Sequence, residues 1–164
     1  MADTPSEKEV LLGHLAAQRR HVLTMLEGLD EEQLRRAVLP SGWSLLQLVH
    51  HLAVDDEAFW FACVVGGDEA TIAGLGNGWE VPKNATGASV VGTYERAAQQ
   101  ADAVLAGVDL DDAPAWWPED MFGAWRMGTV REVVLHVLTE TAVHAGHLDA
   151  VRELLDGRQW RVLD

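Results

Sequence analysis

Apolar residues recur at helical spacing in four stretches of the chain, and no stretch alternates as a strand would. The first opens at "TPSE", where Thr4 reads as N-cap, Pro5 sits in the first turn and Glu7 completes a capping box. It runs through "VLLGHLAAQRRHVLTMLE" to a stop at Gly28. A short helix follows in "DEEQLRRAVL", with Asp30 and Gln33 as cap pair and Pro40 as its end. The second long helix starts near "SLLQ", capped by Ser44 and Gln47, and reaches about Val65 before Gly66-Gly67 breaks it. The third covers roughly Ser89 to Ala106. The fourth opens at Thr129, paired with Glu132, and stops before Gly157, a rod roughly 40 Å long. "GLGNGWEVPKNATG" and "DLDDAPAWWPEDMFGAWRMG" read as long connections, the second holding three of the seven tryptophans. The sum is an all-α four-helix bundle, one domain spanning residues 1–164.

The fourth helix breaks the apolar pattern in one place, "HVLTETAVHAGHLD". At about 100° per residue, His136, His144 and His147 fall within about 40° of Glu140, together with Val133, Val151 and Leu154. Arg131, Asp149 and Glu153 point the other way. The polar row therefore reads as lying in the middle of the buried stripe. A lone buried carboxylate costs several kcal/mol unless it finds a partner or shifts its pKa. A hydrogen-bonded core network would meet that demand. Four imidazole and carboxylate groups on successive turns point instead to a metal site, since these are usual ligands and neighbours at i and i+4 can meet at one ion.

One helix seldom closes such a site, and "LQLVHHLAVDDE" in the second offers the missing ligand. Leu45, Leu48, Leu52, Phe59 and Cys63 define its apolar face. His51 borders that face, whereas His50 points nearly opposite and reads as a surface residue. His14 and His21 have no acidic partner in register and are expected to be structural. No glutamate is followed by histidine three positions later, which excludes a paired Glu-x-x-His di-iron site.

Composition narrows the partners. The formal charge is -14, with 12 Lys and Arg against 26 Asp and Glu, which argues against nucleic acid. No apolar run is long enough to span a bilayer, and "MADTPSEKEV" lacks the blocks of a signal peptide, so a cytoplasmic protein that does not enter membranes is expected. The lone Cys63 rules out an intrachain disulfide and reads as core. An exposed apolar helix face can support a homodimer.

The segments "SLLQLVHHLAVDDEAFW" and "REVVLHVLTETAVHAGHLDAVRELLDG" resemble the DinB-like superfamily of four-helix bundles, in the mini-circle protein branch related to mycothiol-dependent maleylpyruvate isomerase. The resemblance covers nearly the whole chain. It implies a divalent metal, zinc or nickel, held by a second-helix histidine and a His-x-x-x-His or Glu-x-x-x-His pair in the last helix. Carried over, the ligands are His51, Glu140 and His144. His147 stands where many relatives have glutamine, and is implied as a fourth ligand, a group behind the ligands or a proton carrier. His147 and His136 are the candidate catalytic residues, able to move a proton near neutral pH. The implied activity is transfer or isomerisation with a low-molecular-weight thiol such as mycothiol or bacillithiol and a small-molecule substrate. The competing reading is a non-catalytic, stress-associated metal-binding bundle. Trp43 and Trp60 are expected to pack the bundle, while Trp116, Trp117 and Trp125 either wall a pocket near the metal or plug the bundle's open end.

Overall fold

The computed structural model describes residues 4–160, so the first three residues of the expected leader-free start lie outside the described residues. The elements are α1 (Glu7–Thr24), α2 (Glu31–Arg35), α3 (Leu45–His51), a π-helical segment continuing it (Leu52–Val65), α4 (Glu69–Ala73), α5 (Gly87–Ala106), α6 (Glu119–Phe122) and α7 (Val130–Asp156). No strand occurs among the described residues. The four long rods form the bundle: α1 packs on α7, α5 on the π segment and α3, and α7 on the π segment. The fold is the all-α, DinB-like one.

Capping chemistry sets most boundaries. Asp30 with Gln33, Ser44 with Gln47 and Thr129 with Glu132 each satisfy the other's backbone N–H, as their spacing predicts. The first helix is the exception. Its cap is Ser6, whose N–H donates to Glu9 at 2.7 Å, rather than Thr4 with Glu7. Both pairs have the right spacing, but the Glu7 carboxylate is taken by Arg131 of α7, at 3.0 Å from Nη2. At the other end α1 stops at Thr24, and a turn carries the chain to Gly28. Carbonyls left over there, those of Met25 and Glu27, each accept from Arg152 Nη1 of α7 at 2.8 Å. α2 also stops early, because Arg36 is extended and the Arg35 guanidinium bonds the Ala85 carbonyl of the first long connection.

The π segment alters what is buried. Its i→i+5 bonding widens each turn, as in the Gly66 N–H donating to the Phe61 carbonyl at 2.9 Å. Leu45, Leu48, Leu52, Phe59 and Cys63 are buried as their spacing predicts, yet so are Ala53, Asp56, Glu57, Phe61, Ala62 and Val64. The segment is thus enclosed nearly all round, between α5 and α7. Burial pushes the Cys63 thiol up to about 11, which suits a packed, unreactive position.

Three charged side chains join three rods here. Arg19 of α1 donates through Nε and Nη2 to the two oxygens of Glu57, at 2.6 Å each, and through Nη1 to Asp102 of α5, also at 2.6 Å. Glu57 is 1 % exposed, and burial raises its pKa against the pull of Arg19. The fork-on-fork geometry satisfies both carboxylate oxygens, which a buried acid requires. Arg19→Ala leaves that acid without its counter-charge and should cost about 3–5 kcal/mol of folding stability in a urea titration. Asp102→Ala, whose carboxylate is largely exposed, should cost about 1 kcal/mol or less.

Candidate active site

The polar row of α7 lies along the edge of its buried face, not in the middle. His136, Glu140 and His144 are half-buried and His147 is exposed, while Val134, Val137, Thr141, Ala145 and Leu148 are buried. Packing on α1 and the π segment centres the buried face about 80° round the helix from Glu140. Leu154, expected in the stripe, is 62 % exposed. The row is therefore partly open to solvent, and its groups are spared full desolvation.

His51, the last residue of α3, reaches this row. Its ring meets that of His144 edge-on, with centroids 5.2 Å apart. His144 Nε2 lies 3.8 Å from a Glu140 oxygen, and its Nδ1 lies 3.4 Å from His147 Nδ1. Trp43, at the start of α3, tilts against His147 with centroids 6.1 Å apart. So four expected residues, His51, Glu140, His144 and His147, come together. His136, one turn away, meets the edge of Trp60 at 4.7 Å.

The His51 ring is held on two sides. Its Nδ1–H donates to Asp55 Oδ2 at 2.7 Å, leaving Nε2 with its lone pair, and Trp79 of the first long connection stacks on its face at 4.4 Å. Gly78 anchors that connection: its N–H donates to Asp55 Oδ1 at 3.2 Å and its carbonyl accepts from His50 Nδ1 at 2.6 Å. His50 is therefore no surface residue; it is half-buried and ties the loop down. Any Cβ at position 78 would collide with the Asp55 carboxylate. His21 likewise has the acidic partner its own helix lacks, since its Nε2–H donates to Asp149 of α7 at 2.7 Å and its ring stacks on Trp160 at 4.0 Å.

Electrostatics mark a residue that an α-helical wheel conceals. Asp56 is 4 % exposed, its Oδ2 has no hydrogen-bond partner, and burial pushes its pKa up to about 7. The His51 charge lowers that pKa, while Glu140, Glu57 and Asp55 raise it. Five residues apart on an α-helix would be about 140° apart. The i→i+5 winding of the π segment, which begins at Leu52, narrows that angle. Burial, with repulsion from His51 and His147, takes His144 down to about 4, and burial lowers His136. The His144 imidazole is thus neutral at physiological pH, the form that ligates metals.

Among the described residues no three His, Cys, Asp or Glu side chains form a ready-made metal cage. The nearest approach to one is the set where α3 meets α7. It offers neutral His144, an oriented His51 Nε2 and the Glu140 carboxylate, and close by lies an orphaned carboxylate oxygen of Asp56.

Two cavities flank the His51–Asp55 pair. One of about 570 Å³ lies beyond Trp79 and is lined by Arg35, Ser44, Gln47, Glu80 and Lys83. The other, of about 220 Å³, runs from Asp55 between Phe59, Trp60, Leu75 and Phe122. Trp60, Trp117, Phe122 and Trp125 pack on one another with centroids 5.2–6.4 Å apart, so the second long connection closes that end of the bundle. Trp60 and Trp117 are buried, and Trp125 is exposed.

Helix order and this row of imidazole and carboxylate groups define a DinB-like helical protein. A family model described as mycothiol-S-transferase matches residues 10–157, and the chain belongs to that family. No curated protein matches it.

Two outcomes test this geometry. Gly78→Ala should expel Asp55 from His51 at a cost of about 1–3 kcal/mol, seen as lost solvent protection of the His51 Nδ1–H in NMR. Asp56 keeps its proton in the folded state up to about pH 7, against 3.8 when unfolded. Its contribution therefore weakens stability progressively as pH rises from about 4 to 7, by on the order of 4 kcal/mol, and is constant above. In chelator, Asp56→Asn should remove that fall, and the difference between wild-type and variant denaturation curves across pH measures it.

Proposed function

We propose that this protein is a metal-dependent transferase that moves the sulfur of a low-molecular-weight thiol, mycothiol in the family's own description, onto a small electrophile. The observation that carries this reading is the meeting of His51, fixed through Nδ1 by Asp55, with neutral His144 and its Glu140 neighbour at the partly exposed edge of α7. His51, Glu140 and His144 are the residues that would hold the ion, zinc or nickel by the chemistry of the set. A divalent cation there supplies the positive charge that makes a neighbouring thiol acidic at neutral pH.

The chain's own residues do the rest. Asp55 orients His51, and Trp79 shields one face of its ring from water. His147, exposed and in contact with His144, would accept the thiol proton. His136, deprotonated by burial, stands one turn along for a second transfer. The cavity beyond Trp79, with Gln47, Ser44, Arg35, Glu80 and Lys83, has the size and hydrogen-bonding groups for the polar remainder of such a thiol.

Elemental analysis after refilling with Zn²⁺ or Ni²⁺ should give one ion per chain. His51→Ala and His144→Ala should each lower metal affinity at least 10²-fold and abolish consumption of mycothiol. His147→Gln should keep the metal and lose about 10²-fold in kcat. Metal-loaded protein that consumes no thiol with any electrophile would leave only the non-catalytic binding role.

A further inference from the structure

The geometry points to the smaller cavity as the seat of the electrophile, and to an uncharged, apolar compound of about one ring as the class it takes. The inference rests on the transferase reading above but concerns a different surface.

Position favours it first. Asp55 lies on the rim of the cavity and accepts the Nδ1–H of His51 at 2.7 Å, so the cavity opens within one hydrogen bond of a proposed ligand. Its opposite wall, Trp60, touches His136 with centroids 4.7 Å apart. The space therefore runs beside the α7 row, between its two ends. The larger polar cavity lies on the other side of His51, beyond Trp79, leaving the small one free when the thiol is bound.

The chemistry of the lining agrees. Phe59, Trp60, Leu75, Met121 and Phe122 present apolar surface, and among the described residues Asp55 is the lone charged side chain in the lining. An anionic substrate would meet a carboxylate and no cation, in a chain of net charge -14. The pull of Asp55 on a cationic substrate is weakened as well, since its oxygens already accept from His51 and from the Gly78 N–H. What remains is recognition by apolar burial and aromatic contact.

Size sets the rest. About 220 Å³ is below the usual range for a drug-sized ligand and suits a single ring with a short substituent. Phe122 stacks on Trp60 with centroids 5.7 Å apart and interplanar angle 14°, so flat groups already pack in this wall. In the transfer, the thiol proton passes to His147, a sulfur–carbon bond forms at the ring's benzylic carbon, and the carbon–halogen bond breaks with its electron pair leaving as halide.

The test pairs a neutral benzylic halide, 4-nitrobenzyl chloride, with its charged counterpart 4-(chloromethyl)benzoate, on metal-loaded protein with mycothiol. The neutral compound should have at least 10-fold higher kcat/KM. Leu75→Trp, which fills the cavity, should raise its KM at least 10-fold with metal content and the KM for mycothiol unchanged. Met121→Lys, at the exposed lip, should narrow the discrimination against the carboxylate. Calorimetric titration with unreactive 4-nitrobenzyl alcohol and with 4-nitrobenzoate reads the same site without turnover: the alcohol should bind wild-type protein and not Leu75→Trp. Equal binding of both probes, or binding of the alcohol unaffected by Leu75→Trp, overturns the inference. Absence of turnover with both halides, while the alcohol still binds as expected, overturns the transferase reading and leaves the cavity's preference standing.

Discussion

Asp56 and Glu57 are neighbours in the chain, both shut away from water, and the cost of enclosing a carboxylate organises the molecule around them. Glu57 meets that cost with the Arg19 guanidinium, and in doing so fastens α1 and the π segment, with Asp102 of α5 at the margin. Asp56 has no such partner. It feels the charges of His51 and Glu140 and keeps an oxygen unsatisfied, so the free energy left unrecovered is held close to the proposed site. One acid is used for architecture and the other is placed at the site.

The two outcomes share a cause in the winding of the π segment. Its wider turns let a contiguous run of side chains be enclosed, and they align residues five apart. π-helical turns are uncommon and tend to occur at functional sites. Here the change of winding begins immediately after His51, at the seam between α3 and the π segment. The first turn beyond the seam supplies both Asp55, which orients the ring, and Asp56, whose acidity the His51 charge favours.

The connections complete the site from outside the bundle. The first lays Trp79 on His51 and wedges Gly78 against Asp55, while the second packs Trp117 and Phe122 on Trp60 beside His136. The His51–Asp55 pair thus stands between a larger cavity of mixed lining and a smaller, more apolar one. The proposed transfer of a hydrophilic thiol to a hydrophobic electrophile would draw on this difference in lining.

Local chemistry makes the helices legible in the sequence alone. Capping pairs three residues apart, the closing glycines and the 3.6-residue apolar period place α7 and the start of α3 to the residue, because they depend on atoms within one turn. The row of His136, Glu140, His144 and His147 is legible for the same reason, and His51 follows from its place on the apolar face. The first cap, the depth of the α7 row, the burial of His50 and the role of Asp56 are not legible. Each depends on a partner far along the chain: Arg131 for Glu7, α1 and the π segment for α7, Gly78 for His50, His51 and Glu140 for Asp56. Sequence determines what one turn can satisfy by itself. Which of two equivalent caps forms, how deep a charged row sits and whether a helix winds by 3.6 residues or by more is decided only when the rods pack, because packing decides which polar groups must find partners other than water.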